Sequence, residues 1–189
     1  MRKDLGVMAG ICPMPVLMIA TYDENGVIDV MNAAWGMMNG TDKVTLCLSE
    51  GHKTTKNIRA TRAFTVGLAD RAHMREADFF GMASGNKVRD KFERSGLHAE
   101  KSGFVNAPVI TDFPVVMECV LAEMVETEHF HGVVGRVVNV SADEKVLDEN
   151  GKVDAGKLNA LIFDTFRAGY YTIGEKAGQA WDAGKELMK

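Results

Sequence analysis

Two short polar clusters carry the side chains best suited to chemistry. The first is "LSEGHKTTKNI", residues 48–58. Gly51 supplies a turn, a helix is expected to start near Thr54, and Ser49, His52, Lys53, Thr54 and Thr55 crowd that start with hydroxyls and cations. The first turn of a helix leaves backbone N–H groups unpaired and carries the positive end of the dipole, so such a corner suits a phosphate. The competing reading is that Thr54 or Thr55 only caps the helix while Lys53 is solvated. The second cluster is "ASGNKVRDKF", residues 83–92, with Ser84 and Gly85 in a helix break followed by Lys87, Arg89 and Lys91. Alone it reads as a surface loop with ordinary positive residues. Together the clusters offer hydroxyl and amine donors that complement each other around a dianion. Neither GxxxxGK[ST] nor GxGxxG is present, so a P-loop or Rossmann nucleotide site is not supported.

A third stretch, "MNAAWGMM" at residues 31–38, places Asn32, small Ala33 and Ala34, and large Trp35 at the end of a strand pattern. Small residues permit close approach of backbone to a flat ligand, with Trp35 as an apolar wall; a core corner plugged by Trp35 is the alternative.

The elements that must position these groups are mostly strands. "PVLMIATYDENGVIDV" reads as two strands around Asp23-Glu24-Asn25-Gly26, since Asn-Gly is a strong hairpin signal. Residues 43–49 and 63–69 alternate as strands, with a short helix between them that contacts the core through Ile58. From Met74 to Phe92 the pattern is helical, with Met74, Ala77, Phe79 and Phe80 on one face and an interruption at "ASGNK". Residues 113–141 read as two long strands reversing near Thr127 to His129, and "DENGKVD" holds another Asn-Gly turn. The tail is expected to be helical from about residue 174, docked through Trp181. With no repeat or linker, residues 1–189 form one domain, mainly β with helical insertions. Strands without regular strand–helix alternation favour a barrel over a doubly wound sheet.

Composition narrows the function. Net charge is −4 without a long basic run, which argues against nucleic acid. No apolar stretch approaches the roughly 18 residues that span a bilayer. Cys12, Cys47 and Cys119 are odd in number, lack a CxxC, and read as small packed hydrophobes in a reducing cytoplasm rather than as a disulfide or zinc framework. His129 and His131 alternate onto one side of a strand, but no carboxylate or Cys pattern completes a metal site around them.

The run "PMPVLMIATYDENGVIDVMNAAWG", followed by "KTTKNI", "AFTV", "ADFFGMASG", "APVI", "FPVVMEC" and "YYTIGEKAGQA", resembles the flavoredoxin-like branch of the flavin reductase family. The likeness runs from about Pro13 to Gly184 and rests on the order and spacing of the segments. It implies an FMN-binding split β-barrel, a homodimer, and flavin redox chemistry with NADH or NADPH as donor. The alternative it leaves is an electron carrier that holds FMN tightly and serves a redox protein. By the same resemblance Asn32, Ala33, Ala34 and Trp35 lie along the isoalloxazine. The turn Ser49 to Thr54, with His52 and Lys53, and the segment with Ser84, Gly85 and Lys91 hold the ribityl phosphate. The second segment is about one residue longer than the family pattern, leaving Lys87 and Lys91 as alternatives. The family's usual His position is straddled by His129 and His131, and Arg136 stands where an acid is common. No catalytic side chain is expected, since the cofactor does the chemistry. Apolar surface on "VVGRVVNV" and the tail near Tyr171 to Gly174 are expected to form the dimer boundary beside the flavin.

Overall fold

Residues 1–188 are described by the computed structural model. After a short β1 (Met14–Pro15), the alternating segments become β2 (Leu17–Tyr22) and β3 (Ile28–Ala33). Their turn is fixed by the Asp23 carboxylate, which accepts from the Asn25 and Val27 N–H groups at 2.8 and 3.0 Å. Then come β4 (Gly36–Met38), β5 (Lys43–Cys47), α1 (Lys53–Thr61), β6 (Ala63–Leu68), α2 (Met74–Met82) and α3 (Lys91–Ser95). β7 (Ala99–Lys101) and β8 (Pro108–Ile110) form a small hairpin sheet. The long strands are β9 (Val115–Glu126) and β10 (His131–Ala142), and α4 (Ala155–Leu158), β11 (Leu161–Asp164) and β12 (Gly169–Thr172) follow.

The main sheet is antiparallel with seven strands in the order β3-β2-β6-β9-β10-β5-β4. Its two edge strands, β3 and β4, are consecutive in the chain, with only Ala34 and Trp35 between them. Three Cα steps reach at most about 11 Å, so the sheet must curl until its edges meet. The result is a barrel split along one seam. Register shifts between Val134 and Gly135 and between Val137 and Asn139 on β10 help the curl, since bulges bend a strand and raise its twist. At the seam, a Cβ on Gly36 would come within 2.6 Å of Leu17 and 2.7 Å of Leu46, so glycine lets β4 close on the interior.

β2 is apolar on both faces because it has a core on each side. Leu17 and Ile19 point into the barrel with Leu46, Ile58, Phe64, Val66 and Val133. Met18 and Ala20 point outward, under Ala77 and Phe80 of α2, Phe92 of α3, and Phe113. A second small sheet, β1-β11-β12, lies beside this outer core and contributes Leu161 to it.

Three expectations are corrected. Residues 174–180 form no helix; only a 3-10 turn closes the chain at Lys185–Met188, and Trp181 is 95% exposed. Glycines at 174, 178 and 184 and a sparse apolar stripe leave a helix there little support. "VVGRVVNV" is largely covered, because β10 lies between β9 and β5 and sends Val133 into the barrel; Val140 is its exposed valine. Cys12 and Cys47 are exposed, whereas Cys119 is buried as expected.

Candidate functional site

The site begins where α1 starts. His52 occupies the N-cap without a side-chain capping bond, and the first turn holds no acidic residue. The nearby hydroxyls are used elsewhere: Thr54 donates to the Asp29 carboxylate, and Thr55 to the Ser49 carbonyl at 2.8 Å. The capping role open to Thr54 and Thr55 is therefore not the one they play. The helix itself is pinned to β2 by Asn57, which donates to Thr21 at 3.0 Å, and by fully buried Ile58.

Facing α1 is the loop after α2. Asn86 ties the two polar clusters together, donating to the Gly51 carbonyl at 2.9 Å and accepting from Lys56 at 3.3 Å. Lys91 is buried under the loop, 2.9 Å from Asp29 and donating to the Ala83 carbonyl at 3.3 Å. Its approach to Asp29 Oδ1 is a charge contact rather than an aligned hydrogen bond, and Oδ1 keeps an unfilled acceptor. Lys53 is the more open cation, 3.4 Å from Asp23. Burial works against the Asp23 charge, but the Val27 and Asn25 N–H groups and the Lys53 ammonium outweigh it and hold the carboxyl below its ordinary range.

Between these walls is a cavity of about 140 Å³ that brings together Asn32, His52, Lys53, Thr54, Ser84, Gly85 and Lys91. Met31 and Phe80 to Ala83 complete it. Lys87 is exposed and does not line it, so of the two alternatives it is Lys91 that faces the cavity. The uncapped helix start, Lys53, His52 and the Ser84 hydroxyl form a donor set that fits a phosphate. Gly85 contributes space, since a Cβ there would collide with Asp29.

Asn32 also lines a second compartment of about 310 Å³, with Ala34, Trp35, Asp78, Gly81, Met82, Phe163 and Tyr170. Its lining sets the aromatic rings of Trp35, Phe163 and Tyr170 beside the polar groups of Asn32 and Asp78, suited to a flat ring with polar edges. Trp35 is 56% exposed, so it is a wall rather than a core plug. Asn32 is held by donation to the Ala77 carbonyl at 3.0 Å and to the Tyr170 hydroxyl at 3.4 Å. Tyr170 in turn donates to Asp78 at 3.0 Å. Burial, then the Asp78 hydrogen bond and charge, push the Tyr170 phenol above its ordinary value, so it stays a neutral donor. Met82, Asp78 and Tyr170 also border an open groove of about 840 Å³ with Met74, Arg75, Phe79 and Arg94.

Two expected residues lie apart from both cavities. Ala33 turns its side chain into the barrel core, and Ser49 braces the turn, accepting from Gly51 N–H at 3.3 Å. His129 and His131 are also elsewhere; His131 lies 3.4 Å from Glu50 at the hairpin end. Asp29, Asp78 and Phe163 are not among the residues the sequence singles out, and Tyr170 enters there only with the aromatic tail group beside Tyr171 to Gly174. Asp29 shares the barrel-facing side of β3 with Met31 and Ala33, and the start of α1 and Lys91 close over it there.

Residues 8–168 match the family model described as "Flavin reductase like domain". Among solved structures, the flavoredoxin of Desulfovibrio vulgaris (Miyazaki F) is 31% identical with a TM-score of 0.92, over 97% of this chain and 100% of that one. A flavoredoxin from Methanosarcina acetivorans superposes with a TM-score of 0.87 at 24% identity, over 100% and 98% of the two chains. An FMN-binding domain of a flavin reductases-like enzyme from Shewanella baltica OS155 gives 0.74 at 18% identity, over 87% and 88%.

Proposed function

The chain belongs to the flavin reductase-like domain family, and from that footing we propose that it is an FMN-binding flavoprotein that uses NADH or NADPH to reduce flavin. One observation carries the reading: a small donor-lined cavity and a larger aromatic compartment share the Asn32 wall. That is the shape of a phosphate joined to a planar ring.

When bound, FMN supplies the redox chemistry, accepting two electrons from a reduced nicotinamide. What the chain supplies is binding and orientation. The α1 start, His52, Lys53 and Ser84 hold the phosphate. Lys91 is buried against Asp29, so it braces the cavity wall and contributes less charge. Ala34 and Trp35 line the ring compartment, with Asn32 at its junction with the phosphate cavity. The groove beyond Met82 is the approach for the nicotinamide. A homodimer fits the exposure of Trp35 and Met82, which line the ring compartment, and of Met37, Met38 and Tyr171, close in sequence to its lining residues.

A second reading is favoured by the 31% identity to a flavoredoxin: an electron carrier that holds FMN and exchanges electrons with another protein. Anaerobic mixing with NADH and then NADPH separates the two. Rapid bleaching of the flavin absorbance supports the reductase; bleaching by dithionite alone supports the carrier. A protein that binds no FMN refutes both.

A further inference from the structure

We propose that Asp78 sets the reducing power of the bound flavin, holding a fixed negative charge at the wall of the ring compartment. This rests on the FMN reading above. Asp78 is the one acidic side chain lining the 310 Å³ compartment. It is half-buried, on the face of α2 that also presents Met74 and Met82 one turn away on either side. Among the described residues no Lys, Arg or His nitrogen lies within ion-pair distance of it. Arg75 and Arg94 border the outer groove and do not line the compartment, and Arg94 is engaged by Asp90 at 2.9 Å.

The charge is also held in place. Tyr170 donates to Asp78 at 3.0 Å and receives Asn32 at 3.4 Å, while Asn32 is anchored on Ala77. Adding two electrons and one proton to FMN, the electrons coming from a donor of the reduced nicotinamide class, leaves one new negative charge on the ring system. A neighbouring carboxylate in a partly desolvated compartment opposes that charge far more than it would in water. The Asp78 charge therefore weakens the binding of reduced FMN relative to oxidised FMN, and the flavin becomes a stronger reductant than it is without that charge.

The test is the two-electron potential of the FMN-loaded protein, by dithionite titration against reference dyes. Asp78→Asn keeps an acceptor for Tyr170 and removes the charge. It is expected to shift the ratio of reduced to oxidised FMN affinity about tenfold, a rise of about 30 mV for a two-electron couple. Asp78→Ala should give a rise of similar size. Glu76→Gln, which removes a charge bordering only the outer groove, should move the potential by less than a third of that. Tyr170→Phe leaves the charge and should produce no rise. An unchanged potential in FMN-loaded Asp78→Asn, an equal rise in Glu76→Gln, or loss of FMN from both Asp78 variants would overturn the proposal. A parent protein without FMN affinity would instead refute the reading beneath it.

Discussion

The Lys91 ammonium lies 2.9 Å from the Asp29 carboxylate, with both side chains almost sealed from solvent at 3% and 6% exposure. Asp29 also accepts from Thr54, so one carboxylate joins β3, the start of α1 and the start of α3. Removing one partner of such a pair leaves a buried uncompensated charge, which costs about 3–5 kcal/mol. Lys91→Met is expected to lose stability of that order in urea unfolding, while the double variant with Asp29→Asn recovers part of it. A single variant as stable as the parent would show the pair to be solvated.

Lys53 tests the phosphate. A charge-assisted hydrogen bond contributes about 1.5–3 kcal/mol, so Lys53→Ala should weaken FMN binding roughly 10- to 100-fold. Riboflavin, without the phosphate, should bind the parent poorly and respond little to the substitution. Equal losses for both ligands in a titration calorimeter would move the phosphate elsewhere.

How far these residues could be read in advance depended on range. The first hairpin, α1 around Ile58 and the long β9–β10 pair follow from local period and turn chemistry, and they stand where the alternation put them. β4 is three residues long, too short for any period, and exists because β5 offers it an edge. Asp29 and Tyr170 acquire their roles from elements far along the chain, which no local pattern registers. The tail differs in another way: aromatic Tyr171 and Trp181 are the kind of residues that dock a chain end, yet both are exposed.

That exposure gives a truncation test. Residues 174–188 are all exposed, whereas Gly169–Thr172 pairs with β11. A chain ending at Ile173 should keep its far-ultraviolet dichroism and melting temperature. If the tail lies on a second subunit, sedimentation velocity should show weakened dimers and FMN content should fall. A dimer that stays intact and fully yellow would remove the tail from both roles.

Thiol chemistry should sort the cysteines. Burial first, and then the neighbouring Glu118 charge, push the Cys119 thiol up to about 12, while Cys12 and Cys47 are exposed. Iodoacetamide at neutral pH should label Cys12 and Cys47 in the native protein and reach Cys119 only after denaturation, read by mass spectrometry. Native labelling of Cys119 would mean that the barrel opens readily.

Acid should weaken the β2–β3 turn. The Asp23 carboxyl titrates lower folded than unfolded, so its contribution is fully present above the unfolded value of about 4 and fades as pH falls through the folded value. Asp23→Asn should thus melt lower than the parent at pH 7, with the gap closing toward pH 3. A gap that persists unchanged would trace the loss to geometry rather than charge.

Ala34 and Trp35 do two jobs with one stretch of main chain: they carry it from one sheet edge to the other, and they wall the ring compartment. Beyond them, the seam is held by Trp35 accepting from Cys47 N–H at 2.8 Å and by a three-residue strand with one neighbour. Opening of that strand would loosen the Ala34–Trp35 wall of the compartment. Hydrogen–deuterium exchange should register it: a tight ring ligand should slow the amides of Gly36 to Met38 and the Cys47 amide together, and leave the interior strand β6 untouched.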